Sequence, residues 1–275
     1  MKFSAVGGRW SAALAAGLLA LPLLFTQAGC GGGGGGVSNT PPLTLAQYKS
    51  QLVSIPAGTF TMGAEDGFGD ETPTRSVTLS AFKMGRTEVT VGMYKEFCTA
   101  TNREMPFEPM FNEGWAKLDH PMVNVSWEDA KAYADWADLA LPTEAEWEYA
   151  ATGGEGRKYP WGAAWDPAKV VYALESGVGE ETAVVGSKPT GNSKHGLSDM
   201  AGNVMEWCAD WYAGYPETAE TNPTGPETGD TKIYRGGAFA NFWKSQFSDM
   251  FRGASRGNLE PIATFEDFGF RLVSR

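Results

Sequence analysis

Histidine and cysteine are scarce in this chain. Its 275 residues include two histidines, His120 and His195, and three cysteines, Cys30, Cys98 and Cys208, with none after Cys208. Two imidazoles leave little from which to build a non-haem iron site of two histidines and a carboxylate, so iron is not expected. Cys98 and Cys208 are either two separate buried thiols or, after export, a disulfide pair. Basic residues are also in deficit. Lys and Arg total 22 against 33 Asp and Glu, a formal net charge of -11. Such a surface repels nucleic acid and anionic lipid, which excludes a nucleic-acid role. Acidic residues are missing from the start of the chain, where none precedes Glu65.

That acid-free start reads as an export signal. Lys2 and Arg9 are followed by the apolar stretch Ser11 to Phe25, short for a membrane span. Ala28-Gly29-Cys30 resembles the end of a bacterial lipobox, with Gln27 where leucine is usual. This predicts a signal over 1–29, a lipid on Cys30, and attachment to the cell envelope through that lipid alone. Ordinary cleavage after Ala28, leaving a free Cys30, is the alternative. A glycine run over 31–36 makes 30–42 a flexible tether.

The remainder, 43–275, shows no second linker or compositional break. An apolar fraction of 42% is that of a globular protein. Ten Trp and 35 Gly suggest many irregular turns around a core of large rings. Alternation predicts strands at Val53–Ile55 and Thr59–Met62, joined as a hairpin through Pro56-Ala57-Gly58. Further short strands are expected at 77–79, 81–84, 233–235 and 268–273. Thr90, Ser126 and Thr143 are placed to cap three helices. The third carries a capping box with Glu146 and ends at Gly153-Gly154. Its Glu144, Glu146 and Glu148 do not share one face, so the cluster is structural rather than catalytic.

Several segments, each weak alone, occur in a telling order. They are 54–63 (SIPAGTFTMG), Glu88-Val89-Thr90, 120–127 (HPMVNVSW), 141–151 (LPTEAEWEYAA), Pro160-Trp161-Gly162, 196–207 (GLSDMAGNVMEW), Arg235-Gly236-Gly237 and Gly269-Phe270-Arg271. In this order the chain resembles the formylglycine-generating enzyme (sulfatase-modifying factor) family. The resemblance implies a single α/β (α+β) domain of C-type-lectin-like fold with much irregular loop.

It also implies one structural calcium ion in the 196–207 turn. The matching ligands are the carboxylates of Asp199 and Glu206 and the carbonyls of Gly202 and Val204, a hard-oxygen set suited to Ca²⁺. The family's second calcium site is not expected, because Leu174 and Glu175 stand where it needs an asparagine. The family's oxidase binds copper with two late cysteines, a soft-ligand pair suited to the cuprous ion. Those positions fall on Ser248 and Gly253, so copper and its oxidase chemistry are not expected. Loops 241–268 carry Phe242, Trp243, Phe247, Phe251 and Phe265 with Arg252 and Arg256, and are read as a face for a protein or peptide ligand. Some of those rings instead fill the core. A modifying enzyme with other ligands, and a lectin-like protein with a diversified C-terminal segment, are the competing readings.

Overall fold

The computed structural model describes residues 41–172, 181–240 and 247–275. The signal, the tether up to residue 40, Cys30, Leu174, Glu175, Phe242 and Trp243 lie outside them.

The chain opens with helix α1 (Leu45–Ser50), a turn and a half absent from the sequence reading, capped by Thr44 and Gln47. Strands β1 (Val53–Ile55), β2 (Gly58–Met62), β3 (Arg75–Leu79) and β4 (Phe82–Met84) follow. The expected hairpin does not form. β1 pairs antiparallel with β4, and β2 pairs antiparallel with β3. Pro56 has no N–H to continue a ladder, so the chain turns there from one sheet into another.

Three helices then appear where the caps predicted them: α2 (Val91–Thr101), α3 (Trp127–Trp136) and α4 (Glu144–Thr152). Thr90 Oγ1 accepts from Met93 N, and Ser126 and Thr143 each complete a capping box. Gly153 ends α4 in the left-handed region at φ 68°, its N–H donating to Tyr149 O.

The later strands are β5 (Met205–Trp211), β6 (Glu220–Thr221), β7 (Lys232–Arg235), β8 (Arg256–Leu259), β9 (Phe268–Gly269) and β10 (Val273–Ser274). The expected strand over 268–273 is two short ones. β9 pairs with β5 and β10 with β4, so the chain changes sheets across Phe270–Leu272. The sheets are β1-β4-β10, β2-β3-β6 and β8-β7-β5-β9.

One apolar core lies under α2 and α3, where the rings of Tyr94, Phe97, Tyr133 and Phe270 pack, mostly edge to face, with separations of 5.3 to 6.5 Å. A second lies between α4 and strands β2 to β5. Every residue of α4 is buried, its three glutamates included. Each glutamate meets an arginine from elsewhere in the chain: Glu144 meets Arg256, Glu146 meets Arg275 and Glu148 meets Arg235. Burial without such partners would cost several kcal/mol per charge, on the order of the domain's whole stability. Glu144 also reaches Arg235, at 3.3 Å. Two of the three therefore do share a face, as residues four apart on a helix must, while Glu146 points away to serve the cap.

Candidate metal turn and the late loop

The turn from Gly196 to β5 is built from left-handed backbone. Gly196, Asp199, Gly202 and Asn203 have φ of 81°, 57°, 82° and 62°. At Gly202 only glycine fits, since a Cβ would approach the Val171 carbonyl oxygen to 2.5 Å. Gly202 N donates to Gly236 O and Asn203 N to Val171 O, both at 2.9 Å, tying the turn to two neighbouring segments.

Three carboxylates gather beneath it. Asp199 is buried and accepts from Gly186 N at 2.5 Å. Glu88, just before α2, is fully buried; Oε1 accepts from Asn203 Nδ2 at 2.9 Å, and Oε2 has no donor. Glu206 is fully buried and faces Arg271, with Arg271 Nε 2.6 Å from Oε2 and Nη2 2.6 Å from Oε1. Trp147 Nε1 donates to the same Oε2 at 2.8 Å. Arg271 also donates to the carbonyls of Gly85 and Ser198, at 3.2 and 2.9 Å.

Of the four residues singled out for calcium, Glu206 is thus committed to a guanidinium and an indole. The carboxylate with an oxygen to spare is Glu88, whose Oε2 has no hydrogen-bond partner and which feels the charge of Asp199. Burial and the neighbouring Asp199 charge push Glu88 well above the usual carboxylate range, and burial pushes Asp199 the same way. Three buried carboxylates face one guanidinium, so the excess negative charge calls for a proton or a cation. Among the described residues no three His, Cys, Asp or Glu side chains are arranged to hold a metal. An ion here would rest on Asp199, Glu88 and backbone carbonyls, which suits calcium and not a softer metal. Glu88 and Arg271 were missed as site residues. Each was visible as a lone charge beside apolar neighbours, in Glu88-Val89 and Phe270-Arg271-Leu272.

The late loop is arranged differently from its sequence reading. Ser248 is half-buried in a short 3₁₀ turn over Phe247–Phe251. Gly253 N donates to Lys158 O at 2.9 Å, and a Cβ on it would lie 2.5 Å from Thr152 Cγ2. Phe251, read as part of an exposed face, is fully buried, its ring 5.3 Å from that of Trp165. Arg252 and Arg256 are internal as well. Arg252 pairs with Glu71, with Nη1 2.8 Å from Oε2, and Arg256 with Glu144, with Nε 2.8 Å from Oε1. Phe265 remains half exposed. Cys98 and Cys208 are buried, unpaired thiols, and burial raises the pKa of both, which disfavours the thiolate. His120 Nδ1 lies 2.9 Å from Thr182 Oγ1, and the His195 ring lies 6.1 Å from that of Tyr149; neither joins a carboxylate cluster.

Residues 40–275 match the model of the sulfatase-modifying factor enzyme 1-like domain. The chain belongs to the formylglycine-generating enzyme family. The formylglycine-generating enzyme of Streptomyces coelicolor is 32% identical, over 81% of this chain and 88% of that one. Among solved structures, PvdO from Pseudomonas aeruginosa superposes with a TM-score of 0.68 at 27% identity, covering 81% and 93% of the two chains. Treponema denticola variable protein 1 superposes at 0.66 and 26%, covering 82% and 94%. The domain is therefore the mixed α/β fold that the resemblance implied. An enzyme and a protein named for its variability share it, so membership of the formylglycine-generating enzyme family does not by itself fix an activity.

Proposed function

We propose that this chain is an exported cell-envelope protein whose formylglycine-generating-enzyme-like domain binds or scaffolds a partner and does not oxidise cysteine. The observation that carries this reading is the pair Ser248 and Gly253 where the family's oxidase has copper thiolates. A hydroxyl is a poor ligand for a cuprous ion, and glycine offers none. The packing supports the reading, because Thr152 fills the space a side chain at 253 would need. The two buried cysteines offer no replacement pair.

The test is incubation with copper and a peptide carrying a sulfatase-type cysteine. No aldehyde should form by mass spectrometry, and an aldehyde product would overturn the binding reading.

Ala28-Gly29-Cys30 and the glycine tether support a lipid on Cys30 and a place on the envelope. Mass analysis of the mature N-terminus tests it, since an unmodified start at residue 29 would refute lipidation. The turn beneath Asp199 is proposed to hold one calcium ion, which would balance its excess negative charge. Asp199 and Glu88 are the side chains with oxygens for it, and the carbonyls of Gly202 and Val204 are its proposed backbone ligands.

A further inference from the structure

Two loops meet at Asn124. Its side-chain Nδ2 donates to Phe107 O at 2.8 Å, and its backbone N donates to Phe265 O at 3.0 Å. Between them runs a groove of about 480 Å³ with Met105, Pro106, Asn124 and Thr264 in its walls. The two loops carry four of the large apolar side chains that the described residues leave in solvent. Phe107 is 86% exposed, Met110 96%, Ile262 69% and Phe265 50%.

The loop that carries Phe107 and Met110 is braced. Trp115 Nε1 donates to Pro106 O at 3.2 Å, and Glu108 Oε2 accepts from Gly114 N at 2.7 Å. Lys95 Nζ donates to Trp115 O at 2.9 Å, and Phe111 packs inward on Phe239 at 5.4 Å. Outward apolar side chains on a braced loop lose little freedom when covered, which is the property of a binding anchor. Exposed apolar side chains grouped on two adjoining loops mark an interaction site.

Charge selects the occupant. Across 103–113 and 260–268 there are six acidic residues and one basic residue, Arg103. Arg103 is engaged by Asp129 at 2.7 Å, while Glu104, Glu113, Glu260 and Glu266 are exposed. A second copy of the chain would bring the same acidic rim against it, and an anionic bilayer would be repelled. We propose that this groove docks a basic segment of a partner protein, with aliphatic or aromatic side chains seated on Phe107, Met110, Ile262 and Phe265 and lysines or arginines on the acidic rim. The proposal rests on the binding reading above and gives it a site and a partner chemistry.

A random dodecapeptide library selected on the full chain tests it. Enriched peptides should carry net positive charge around an apolar anchor. Their affinity should fall at least tenfold in Phe107→Ser/Phe265→Ser and in Glu104→Lys/Glu266→Lys, and should weaken between 50 and 300 mM salt, as expected for rim charges. Hydrogen exchange on the unmodified protein should show protection by the selected peptide at 104–110 and 260–266, which keeps the test independent of any variant that folds poorly. No enrichment, a neutral or acidic consensus, unchanged affinity in both variants, or protection elsewhere would overturn the proposal. So would self-association through the groove, or uptake by phosphatidylglycerol vesicles lost in Phe107→Ser/Phe265→Ser. The copper and peptide assay decides the oxidase question separately, so either reading can fail alone.

Discussion

Arg271 closes on both carboxylate oxygens of Glu206, at 2.6 Å each, where neither side chain has any solvent exposure. The pair joins the segment between β9 and β10 to the start of β5, and the two residues are 65 positions apart. Removing one partner leaves an uncompensated buried charge. Arg271→Met is expected to cost about 3–5 kcal/mol in urea unfolding. Glu206→Gln/Arg271→Met should cost less than the two single variants together, because both charges go at once. A loss below about 1 kcal/mol for Arg271→Met would show the pair contributes little.

The carboxylates beside that pair give the calcium experiment. Protein stripped by chelator should melt lower, and added Ca²⁺ should raise the melting temperature. At a hundredfold excess over Kd the gain corresponds to about 2.7 kcal/mol. Glu88→Gln/Asp199→Asn should abolish it. No shift in the parent protein removes calcium from this turn. A shift that survives in that variant would move the ion to other ligands.

Cysteines can be placed at the two positions that the proposed function matches to the family's copper thiolates. Ser248→Cys/Gly253→Cys should be destabilised by about 1–3 kcal/mol, the usual cost of overpacking, because the new Cβ meets Thr152 Cγ2. Adding Thr152→Ser removes that methyl and keeps the hydroxyl that donates to Glu148 O. The triple variant should recover most of the loss in thermal unfolding. Equal stability of the double variant and the parent would mean the loop moves aside without cost.

Stability should fall as pH rises from about 4 to 7. Burial, and then the Glu144 charge, raise Asp210 from its ordinary 3.8 to about 7, so across that window the folded chain holds a proton that the unfolded chain has released. The stabilisation is complete below the unfolded value and is lost as pH climbs through the folded one. Asp210→Asn should reduce the slope of unfolding free energy against pH. A smaller slope of the same sign should remain, because burial also raises Asp267, to about 6. An unchanged slope in Asp210→Asn would assign the effect to other groups.

Local signals were read well where they act over a few residues. The caps at Thr90, Ser126 and Thr143 and the left-handed stop at Gly153 lie where the spacing put them. The hairpin around Pro56 failed because alternation identifies a strand and says nothing of its partner, and β1 pairs with a strand 27 or more positions onward. Three residues of the late loop turn inward for a related reason. Phe251, Arg252 and Arg256 look like recognition residues in a polar sequence, but Trp165, Glu71 and Glu144 lie far back in the chain to receive them.

The order of the motifs sufficed to recognise the family, because every motif is local; Ser248 and Gly253 enter only as the positions matched to the oxidase's cysteines in the proposed binding reading. The same order marks 196–207 as a turn, and the structure shows it rich in left-handed backbone, which glycine and asparagine enter at little cost. Which charges in and around that turn are already balanced is a property of the folded chain. Glu206 meets Arg271, and Glu88 keeps one oxygen unmatched, because ion pairing in a dry interior depends on distances between segments that no local pattern records.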